Sequence, residues 1–359
     1  MSGLLKFITC GSVDDGKSTL IGHILYDSKL LYADQEKALE LDSKVGSRGG
    51  AIDYSLLLDG LMAEREQGIT IDVAYRYFTT DKRSFIVADT PGHEEYTRNM
   101  AVGASFADLA VILVDAKQGV LVQTRRHARI CALMGIKYFV FAVNKMDLVD
   151  YSEDRFKEIT AQIEELSSEL SLASVQIIPV SATEGDNVTK RSDKMNWYDG
   201  PVLLSYLEDI DVSEKKQEDG FYMPVQRVCR PDHTFRGFQG QIESGSIAVG
   251  DEVITLPSNE HAKVKSILVG DRNADSADAG RPVTIQLDKE VDVSRGCVLT
   301  TVELPVSKKF TATILWMDDQ ELTVGKDYLV KIGTETIPGI LKNIQYKIDV
   351  NTGEYIPVG

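Results

Sequence analysis

Residues 5–18 read LKFITCGSVDDGKS, an apolar run that passes directly into the pattern G-x-x-x-x-G-K-[ST]. The apolar stretch 4–9 predicts a strand and the spacing in 18–25 predicts a helix, so the glycine-rich residues join a strand to a helix. Glycine allows backbone N–H groups to approach a phosphate closely, and the start of a helix carries a partial positive charge. The segment therefore predicts a phosphate-binding loop.

This loop supplies most of the predicted nucleotide contacts. Lys17 is expected to reach the β- and γ-phosphates of a bound triphosphate, and the Ser18 hydroxyl is expected to ligate Mg²⁺. The alternative is a chance match to the pattern, and the motifs further along the chain argue against it. The predicted nucleotide-binding residues of the loop are Gly11, Ser12, Val13, Asp14, Asp15, Gly16, Lys17, Ser18 and Thr19.

A second motif, DTPGH at residues 89–93, follows the strand predicted at 85–88. The Asp89 carboxylate stands where it can join the Mg²⁺ shell, and Gly92 allows its own N–H to approach the γ-phosphate. His93 is either a loop histidine without a task or the residue that orients the attacking water. We favour the second interpretation, because a nucleotide-hydrolysing site needs a water-orienting residue at this point.

The third motif predicts the choice of base. NKMD (Asn144, Lys145, Met146 and Asp147) follows the strand predicted at 139–143. The Asp147 carboxylate can accept hydrogen bonds from guanine N1–H and from the exocyclic amine, a pair of donors that adenine lacks. At ~1.5–3 kcal/mol for each bond to a charged group, the preference for GTP is about 3–6 kcal/mol. Asn144 is expected to brace the loop, and the aliphatic stem of Lys145 to cover the purine face.

Two weaker signals gain their meaning from their order in the chain. Ser181 and Ala182 follow the strand predicted at 176–180, and their backbone N–H groups are expected to face the guanine carbonyl oxygen. REQGITID, residues 65–72, lies between the first two motifs. Its Thr70 is either a threonine that leads into a strand or, as we favour, a switch residue that closes on Mg²⁺ only when a γ-phosphate is present.

The pattern of strands and helices predicts the fold class. Up to residue 210 the chain alternates short apolar runs with helical stretches, an arrangement typical of a doubly wound, mostly parallel sheet with both faces covered. The predicted helices include residues 120–134 and 153–170. We therefore predict an α/β P-loop NTPase domain over residues 1–210.

The pattern changes after a polar linker at residues 211–220. Short strand-like runs separated by glycines predict an antiparallel β-barrel domain over residues 221–304. A second barrel begins in residues 305–359, with strands predicted at 309–315, 328–332 and 339–347, but it lacks the strands needed to close. We therefore expect the sequence to be a fragment, or its natural C-terminus to lie further on.

Composition narrows the classes of partner and compartment. The formal net charge of −16 disfavours nucleic-acid binding, because an acidic surface repels a polyanion. The four cysteines form no C-x-x-C pair, so we predict buried cysteines rather than a metal site or a disulfide framework. With no secretory signal and no apolar run of the ~20 residues that a membrane helix needs, the expected compartment is the cytoplasm.

The motifs GSVDDGKS, REQGITID, DTPGHEEY, NKMD and SA occur in this order across residues 11–182. In this order they resemble the translational GTPase superfamily, which implies an elongation factor Tu-like fold and the ligands GTP and Mg²⁺. The residues that the resemblance implies for catalysis are Lys17, Thr70 and His93, and those that it implies for Mg²⁺ binding are Ser18, Thr70 and Asp89. It also implies a monovalent-cation role for Asp14.

Within that superfamily the chain is most similar to the large, GTP-binding subunit of sulfate adenylyltransferase. The similarity rests on GVLVQTRRH at 119–127, MNWYDGPVLLSYLE at 195–208 and FRGFQGQIESGSIAVGDEV at 235–253, and on Asp15, where elongation factor Tu has histidine. The resemblance implies a heterodimer with a small subunit of the ATP-pyrophosphatase type. That subunit makes adenosine 5′-phosphosulfate and pyrophosphate from ATP and sulfate, and GTP hydrolysis on the large subunit drives the reaction in sulfate assimilation.

The sequence leaves two alternatives. An elongation- or termination-type GTPase that binds tRNA or a ribosomal partner would share the fold and the GTP chemistry. The acidic charge and the three family segments disfavour it. A scaffold that retains the nucleotide site without hydrolysing GTP is disfavoured by the presence of Lys17, Thr70 and His93.

Overall fold

The computed structural model describes residues 3–12, 14–27, 72–93, 96–212 and 220–358. The chain divides into two compact units, one of Met1–Val212 with Tyr346–Gly359 and the other of Ser213–Gln345. The domain boundaries expected from the sequence, 1–210, 221–304 and 305–359, stay a prediction.

A six-stranded sheet forms the centre of the first unit. Its strands are β1 (Leu5–Cys10), β2 (Ala74–Thr79), β3 (Ser84–Asp89), β4 (Leu109–Asp115), β5 (Tyr138–Asn144) and β6 (Ser174–Pro179). They lie in the order β2-β3-β1-β4-β5-β6, and every neighbouring pair is parallel except β2–β3. The predicted mostly parallel sheet is confirmed.

The helices of this unit follow the predicted pattern. Within the described ranges they are α1 (Lys17–Asp27), α2 (Thr97–Phe106), α3 (Val122–Leu133), α4 (Glu153–Glu169) and α5 (Leu203–Asp209). Helix α4 begins where the Ser152 side chain accepts a hydrogen bond from Arg155 N–H at 3.2 Å. Its buried residues, Ile159, Ile163 and Leu166, recur every three or four positions and so share one face. None of the helices in these ranges has the length and apolar composition that crossing a membrane requires.

The sheet forms the core of the unit. All seven residues of β4 are buried, because a parallel strand between two helical layers has no face left for solvent. On the β1 side, Phe78 and Phe85 stack at a centroid distance of 4.8 Å, and Phe7 meets both rings edge-on. Each fully buried phenylalanine contributes about 1.5–3 kcal/mol. This packing holds β1 and the loop that follows it.

Helix α3 contacts the end of β1 through two cysteines. Cys10 Sγ and Cys131 Sγ lie 4.0 Å apart, and both side chains are fully buried. Burial raises the pKa of the Cys131 thiol, and the contact with Cys10 adds to the rise. Cys10 and Cys131 are buried as predicted, whereas Cys229 and Cys297 are half-buried.

The carboxyl ends of four parallel strands meet at one edge of the sheet. Thr9 of β1 pairs with Asp89 of β3, and Asp115 of β4 pairs with Asn144 of β5. In open parallel sheets ligands bind at this edge. The register therefore brings the ends of the predicted motifs to one place.

The second unit is built on an antiparallel sheet. Its strands are β7 (Tyr222–Pro224), β8 (Arg227–Asp232), β9 (Phe235–Gln241), β10 (Ser246–Ala248), β11 (Glu252–Leu256), β12 (His261–Val269), β13 (Arg272–Ala274), β14 (Ser276–Asp278), β15 (Pro282–Leu287) and β16 (Val298–Thr300). The main path of the sheet is β7-β16-β11-β12-β15-β9-β8, with β13 paired to β12, whereas β10 and β14 form a separate two-stranded sheet. Tyr222 also pairs with Ser244, just beyond β9, so the sheet curves back towards its first strand. The predicted antiparallel architecture after the nucleotide-binding fold is confirmed.

Two hairpins follow. In the second unit, β17 (Asp327–Ile332) pairs with β18 (Glu335–Ile340), which confirms the strand predicted at 328–332. In the first unit, β19 (Tyr346–Ile348) pairs with β20 (Tyr355–Pro357). The strand predicted at 309–315 is wrong: these residues form no regular structure, and nearly all are exposed. The single strand predicted at 339–347 is also wrong, because residues 341–345 form no regular structure between the end of β18 and the start of β19. A segment with a strand-like pattern forms a strand only when a neighbouring strand pairs with its backbone N–H and C=O groups.

Candidate nucleotide-binding site

The phosphate loop joins β1 to α1, which begins at Lys17. Asp14 has φ = 75° and Gly16 has φ = 88°, so two left-handed residues lead into the helix. A Cβ on Gly16 would lie 2.6 Å from Asn144 Nδ2, which explains the glycine at this position. The first N–H groups of a helix have no partner within it and can bind phosphate oxygens.

Asp89, at the end of β3, meets the first turn of α1, to which Thr19 also belongs. Ser18 Oγ donates a hydrogen bond to Asp89 Oδ2 at 3.0 Å, and Lys17 Nζ lies 3.9 Å from Asp89 Oδ1. Thr9 Oγ1 donates to Asp89 Oδ1 at 3.0 Å and fixes the carboxylate from the β1 side. A hydroxyl and a carboxylate in contact fit Mg²⁺, which takes one or two protein oxygens beside substrate phosphates.

Gly92 and His93 follow β3. Gly92 is buried, whereas the His93 side chain is exposed. The His93 and Tyr96 ring centroids are 5.8 Å apart, and Tyr96 N donates to the His93 carbonyl oxygen at 3.0 Å. An exposed imidazole at this point is accessible to water, and its water-orienting role stays a prediction.

Asn144 ties three segments together. Its Nδ2 donates to the Asp15 carbonyl oxygen at 2.7 Å, and its Oδ1 accepts from Ala182 N at 2.8 Å. The side chain is only 2% exposed. Buried hydrogen bonds of this kind contribute about 1 kcal/mol each. The phosphate loop, the NKMD motif and the Ser-Ala segment are thereby held together.

Lys145 makes a second link to the phosphate loop. Its Nζ donates to the Asp14 carbonyl oxygen and lies 3.0 Å from Asp115 Oδ2. Asp115 ends β4 and is the register neighbour of Asn144. Asp115 is not among the site residues predicted from the sequence. The signal that could have identified it is a carboxylate at the end of a fully apolar strand, next to the strand that leads into NKMD.

Asp147 is positioned by the Ser-Ala segment. Ser181 Oγ donates to Asp147 Oδ1 at 2.8 Å, and the Asp147 side chain is half-buried. Met146 is fully buried beneath the motif, and its N–H donates to the Val180 carbonyl oxygen at 3.3 Å. The structure therefore brings Asp147 and Ser181 together, although they are far apart in sequence.

The backbone N–H groups of the Ser-Ala segment already have acceptors within the protein. Ser181 N donates to the Asp186 carbonyl oxygen at 3.1 Å, and Ala182 N donates to Asn144 Oδ1 at 2.8 Å. Their predicted contact with the guanine carbonyl oxygen stays a prediction. It requires the base to compete with these two hydrogen bonds.

The Asp15 side chain is buried beside the loop backbone. Its Oδ2 accepts a hydrogen bond from Ser12 N–H at 2.6 Å. The pKa of Asp15 is raised from 3.8 to about 7, mainly by burial. The hydrogen bond from Ser12 and the positive charges of Lys145 and Lys17 oppose the rise, and the negative charge of Asp115 adds to it. Near neutral pH the group is therefore divided between its charged and neutral forms.

His127, in the segment TRRH on α3, is buried and neutral. Burial, together with the positive charges of Arg126 and Lys17, lowers the pKa of His127 from 6.5 to about 3. Its Nδ1 has no hydrogen-bond partner within the described residues. His127 therefore fills space in the core as a neutral side chain.

Two of the predicted site residues, Val13 and Thr70, lie outside the described residues. The switch role of Thr70 and its place in the Mg²⁺ shell stay predictions. Of the three predicted metal ligands, the structure describes Ser18 and Asp89 and places them in contact.

Two known protein families match the sequence of this chain. The elongation factor Tu GTP binding domain matches residues 2–228, more than half of the 359-residue chain. The GTP-eEF1A C-terminal domain-like family matches residues 309–357. A solved structure of sup35 complexed with GMPPNP aligns with 99% of this chain and 81% of that chain, at 28% identity and a TM-score of 0.45.

Curated relatives identify the branch of the family. Sulfate adenylyltransferase subunit 1 of Colwellia psychrerythraea is 53% identical over 354 residues, which are 98% of this chain and 76% of that protein. The protein of the same name from Vibrio cholerae is 53% identical over 352 residues, 97% of this chain and 74% of that protein. The bifunctional enzyme CysN/CysC of Rhodopirellula baltica is 52% identical over 359 residues, 99% of this chain and 56% of that protein. The chain therefore belongs to the sulfate adenylyltransferase subunit 1 family, whose GTP-binding domain is of the elongation factor Tu type.

Proposed function

We propose that this chain is the GTPase subunit of a sulfate adenylyltransferase, in which GTP hydrolysis drives the synthesis of adenosine 5′-phosphosulfate by a partner subunit. Membership of the family supports both the GTP-binding and the nucleotidyltransferase assignments. The observation that carries the proposal is the position of Asn144, whose side chain joins the phosphate loop to the guanine motif and the Ser-Ala segment. Because one side chain holds these segments together, the pocket can bind the phosphates and the base of one nucleotide at the same time.

Base selection rests on Asp147. Ser181 holds Oδ1 of this carboxylate at 2.8 Å, and each carboxylate oxygen has lone pairs for more than one donor. Guanine offers two N–H donors side by side, so the two oxygens of Asp147 accept one each. The aliphatic stem of Lys145 covers the purine, while its Nζ is fixed on Asp115 and the loop backbone.

The phosphates lie over the start of α1. Lys17 and the helix N–H groups supply positive charge, and Ser18 with Asp89 would hold Mg²⁺, joined by Thr70 in the triphosphate state. When bound, Mg²⁺ neutralises charge on the phosphate oxygens. Exposed Asp14 is proposed to hold a monovalent cation beside the loop.

Hydrolysis is assigned to a water molecule oriented by His93. The imidazole is exposed and follows directly after Gly92, whose N–H can approach the γ-phosphate. Orientation of the nucleophile and stabilisation of charge supply most of the rate in phosphoryl transfer, because the protein has little covalent chemistry to perform.

A partner subunit is implied by the name "subunit 1" of the relatives. We propose that this partner is the small subunit of ATP-pyrophosphatase type. On it a sulfate oxygen attacks the α-phosphorus of ATP, pyrophosphate leaves, and the phosphosulfate anhydride forms. That anhydride is high in energy, so its synthesis needs the free energy of GTP hydrolysis. The four free cysteines agree with a reducing compartment, and we propose the cytoplasm.

The test is co-purification with the candidate small subunit, followed by measurement of pyrophosphate release from ATP and sulfate. We expect GTP to stimulate release and a non-hydrolysable GTP analogue not to do so. Asp147→Asn serves as the matched control, because its stimulation should pass from GTP to xanthosine triphosphate. Equal release with and without GTP contradicts the coupling. Tight tRNA binding at physiological salt, unaffected by the small subunit, would instead support the elongation-type alternative.

A further inference from the structure

Three buried carboxylates lie near the phosphate loop, and they differ in their partners. Asp89 has Lys17 Nζ at 3.9 Å, and Asp115 has Lys145 Nζ at 3.0 Å. Within the part of the chain that the structure describes, no cationic nitrogen lies within 4.0 Å of the Asp15 carboxylate. Asp15 is therefore the carboxylate of this group that forms no direct ion pair among the described residues. The positive charges of Lys145 and Lys17 act on it from more than 4.0 Å, while each of these ammonium groups lies within 4.0 Å of another aspartate.

Asp15 belongs to the loop that is proposed to receive the phosphates. Its side chain is only 3% exposed, so solvent and salt screen its charge weakly. Its Oδ2 also takes up the Ser12 N–H, at 2.6 Å, one of the donors of the loop. Like charges within ~10 Å of each other in a low-dielectric interior repel strongly.

We propose that Asp15 is an affinity-determining residue: its buried carboxylate weakens the binding of GTP and GDP, so that GDP leaves the site between turnovers. The inference rests on the proposed binding of GTP at the phosphate loop. The inference explains physically how this chain exchanges its nucleotide. The residue responsible, Asp15, occupies a position at which the loop pattern allows any amino acid.

Asp115 provides a sharp contrast. Its carboxylate holds Lys145 Nζ, which also donates to the Asp14 carbonyl oxygen, so its charge supports the loop. Replacing each aspartate by asparagine removes one charge with almost no change of shape. We expect opposite results: Asp15→Asn tightens nucleotide binding, and Asp115→Asn weakens it. Two carboxylates with merely structural roles would both weaken binding on replacement.

The experiment measures the affinity and the release rate of fluorescently labelled GDP with Mg²⁺, at about pH 8.5, where carboxylates are ionised. Asp15→Asn keeps an acceptor for Ser12 N–H and removes only the charge, and Asp15→Ser is a second neutral variant. Loss of one buried like charge is expected to lower both the Kd and the release rate of GDP about tenfold. Asp115→Asn is expected to raise the Kd by a similar factor.

Thermal melting of the nucleotide-free variants establishes that they are folded. Folded Asp15→Asn and Asp15→Ser proteins that bind GDP no more tightly than the wild type would overturn the inference. Equal tightening by Asp115→Asn would also overturn it, because the effect would not be particular to the carboxylate without an ion pair. A wild-type chain that binds neither GDP nor GTP contradicts the proposed function itself, so the two failures are distinguished by the wild-type measurement.

Discussion

Asn144 Nδ2 donates a hydrogen bond to the Asp15 carbonyl oxygen at 2.7 Å, so a side chain of the base-recognition motif supports the backbone of the phosphate loop. The same side chain accepts from Ala182 N at 2.8 Å. The site for the base and the site for the phosphates therefore depend on one buried amide. Disturbing it should affect both ends of the nucleotide at once.

Asn144→Ala is expected to weaken the binding of GTP, GDP and guanosine alike. The variant loses the hydrogen bond to the Asp15 carbonyl oxygen and the hydrogen bond from Ala182 N. Losing two buried hydrogen bonds costs about 2 kcal/mol, which corresponds to a loss of affinity of up to about thirtyfold. Titration calorimetry with the three ligands measures the effect.

The matched control for that variant is Asn187→Gly. Asn187 is also buried and makes the same two kinds of bond, donating to the Pro179 carbonyl oxygen at 3.0 Å and accepting from Ser192 N at 2.9 Å. Its φ of 55° favours glycine as the replacement. We expect lower stability with nearly unchanged affinity; an equal loss of affinity in both variants would contradict a specific role for Asn144.

Asp147→Asn is expected to weaken GTP binding and to strengthen the binding of xanthosine triphosphate. The asparagine amide can donate to the acceptor that xanthine carries where guanine has its amine, and its Oδ1 still accepts from Ser181. Loss of one charge-assisted bond weakens GTP binding at least about tenfold. Competition between the two nucleotides measures the change, and a retained preference for GTP would show that another residue reads the base.

His93→Ala is expected to slow GTP hydrolysis about a hundredfold while GTP affinity stays within a few fold. The side chain is exposed, so the folded state should lose less than about 0.5 kcal/mol. Single-turnover hydrolysis and equilibrium binding, measured on the same preparation, separate the two effects. Unchanged turnover would remove His93 from the catalytic assignment.

The stability of the first unit should fall in mild acid because of His127. Its pKa is about 3 when folded and 6.5 when unfolded, so between these values the unfolded chain binds more protons. The free energy of unfolding therefore rises with pH across this window, and the contribution of His127 is lost as pH falls below 6.5. The slope is about 1.4 kcal/mol per pH unit, or roughly 2 kcal/mol between pH 6.5 and 5.

Urea unfolding of the wild type and of His127→Gln at about pH 7 and about pH 5 tests this expectation. Glutamine does not titrate, so the variant should lose less stability on acidification than the wild type. The same pH dependence in both proteins would show that other groups cause the acid sensitivity.

Much of the fold and of the site was predictable because the signals are local. The apolar run of β4 predicts a strand that is buried on both faces. The glycine-rich pattern of residues 11–18 predicts a loop whose backbone can approach a phosphate closely. The link between Asp115 and Lys145 was not predictable in this way, since it depends on which strands are neighbours in the sheet.

The burial of Asp15 and the irregular course of residues 309–315 have a similar explanation. The loop pattern leaves the position of Asp15 open to any residue, so its surroundings follow from Ser12 and Asp115 rather than from the motif. A run of alternating residues becomes a strand only when a neighbouring strand accepts its hydrogen bonds. Both depend on tertiary contacts that a local pattern does not contain.

The buried contact between Cys10 Sγ and Cys131 Sγ limits which pairs of residues can occupy these two positions in relatives of this chain. Both side chains fill one gap between β1 and α3, so a larger residue at either position needs a smaller one at the other. Across natural variants the two positions should therefore co-vary, with their summed volume nearly constant while each residue changes.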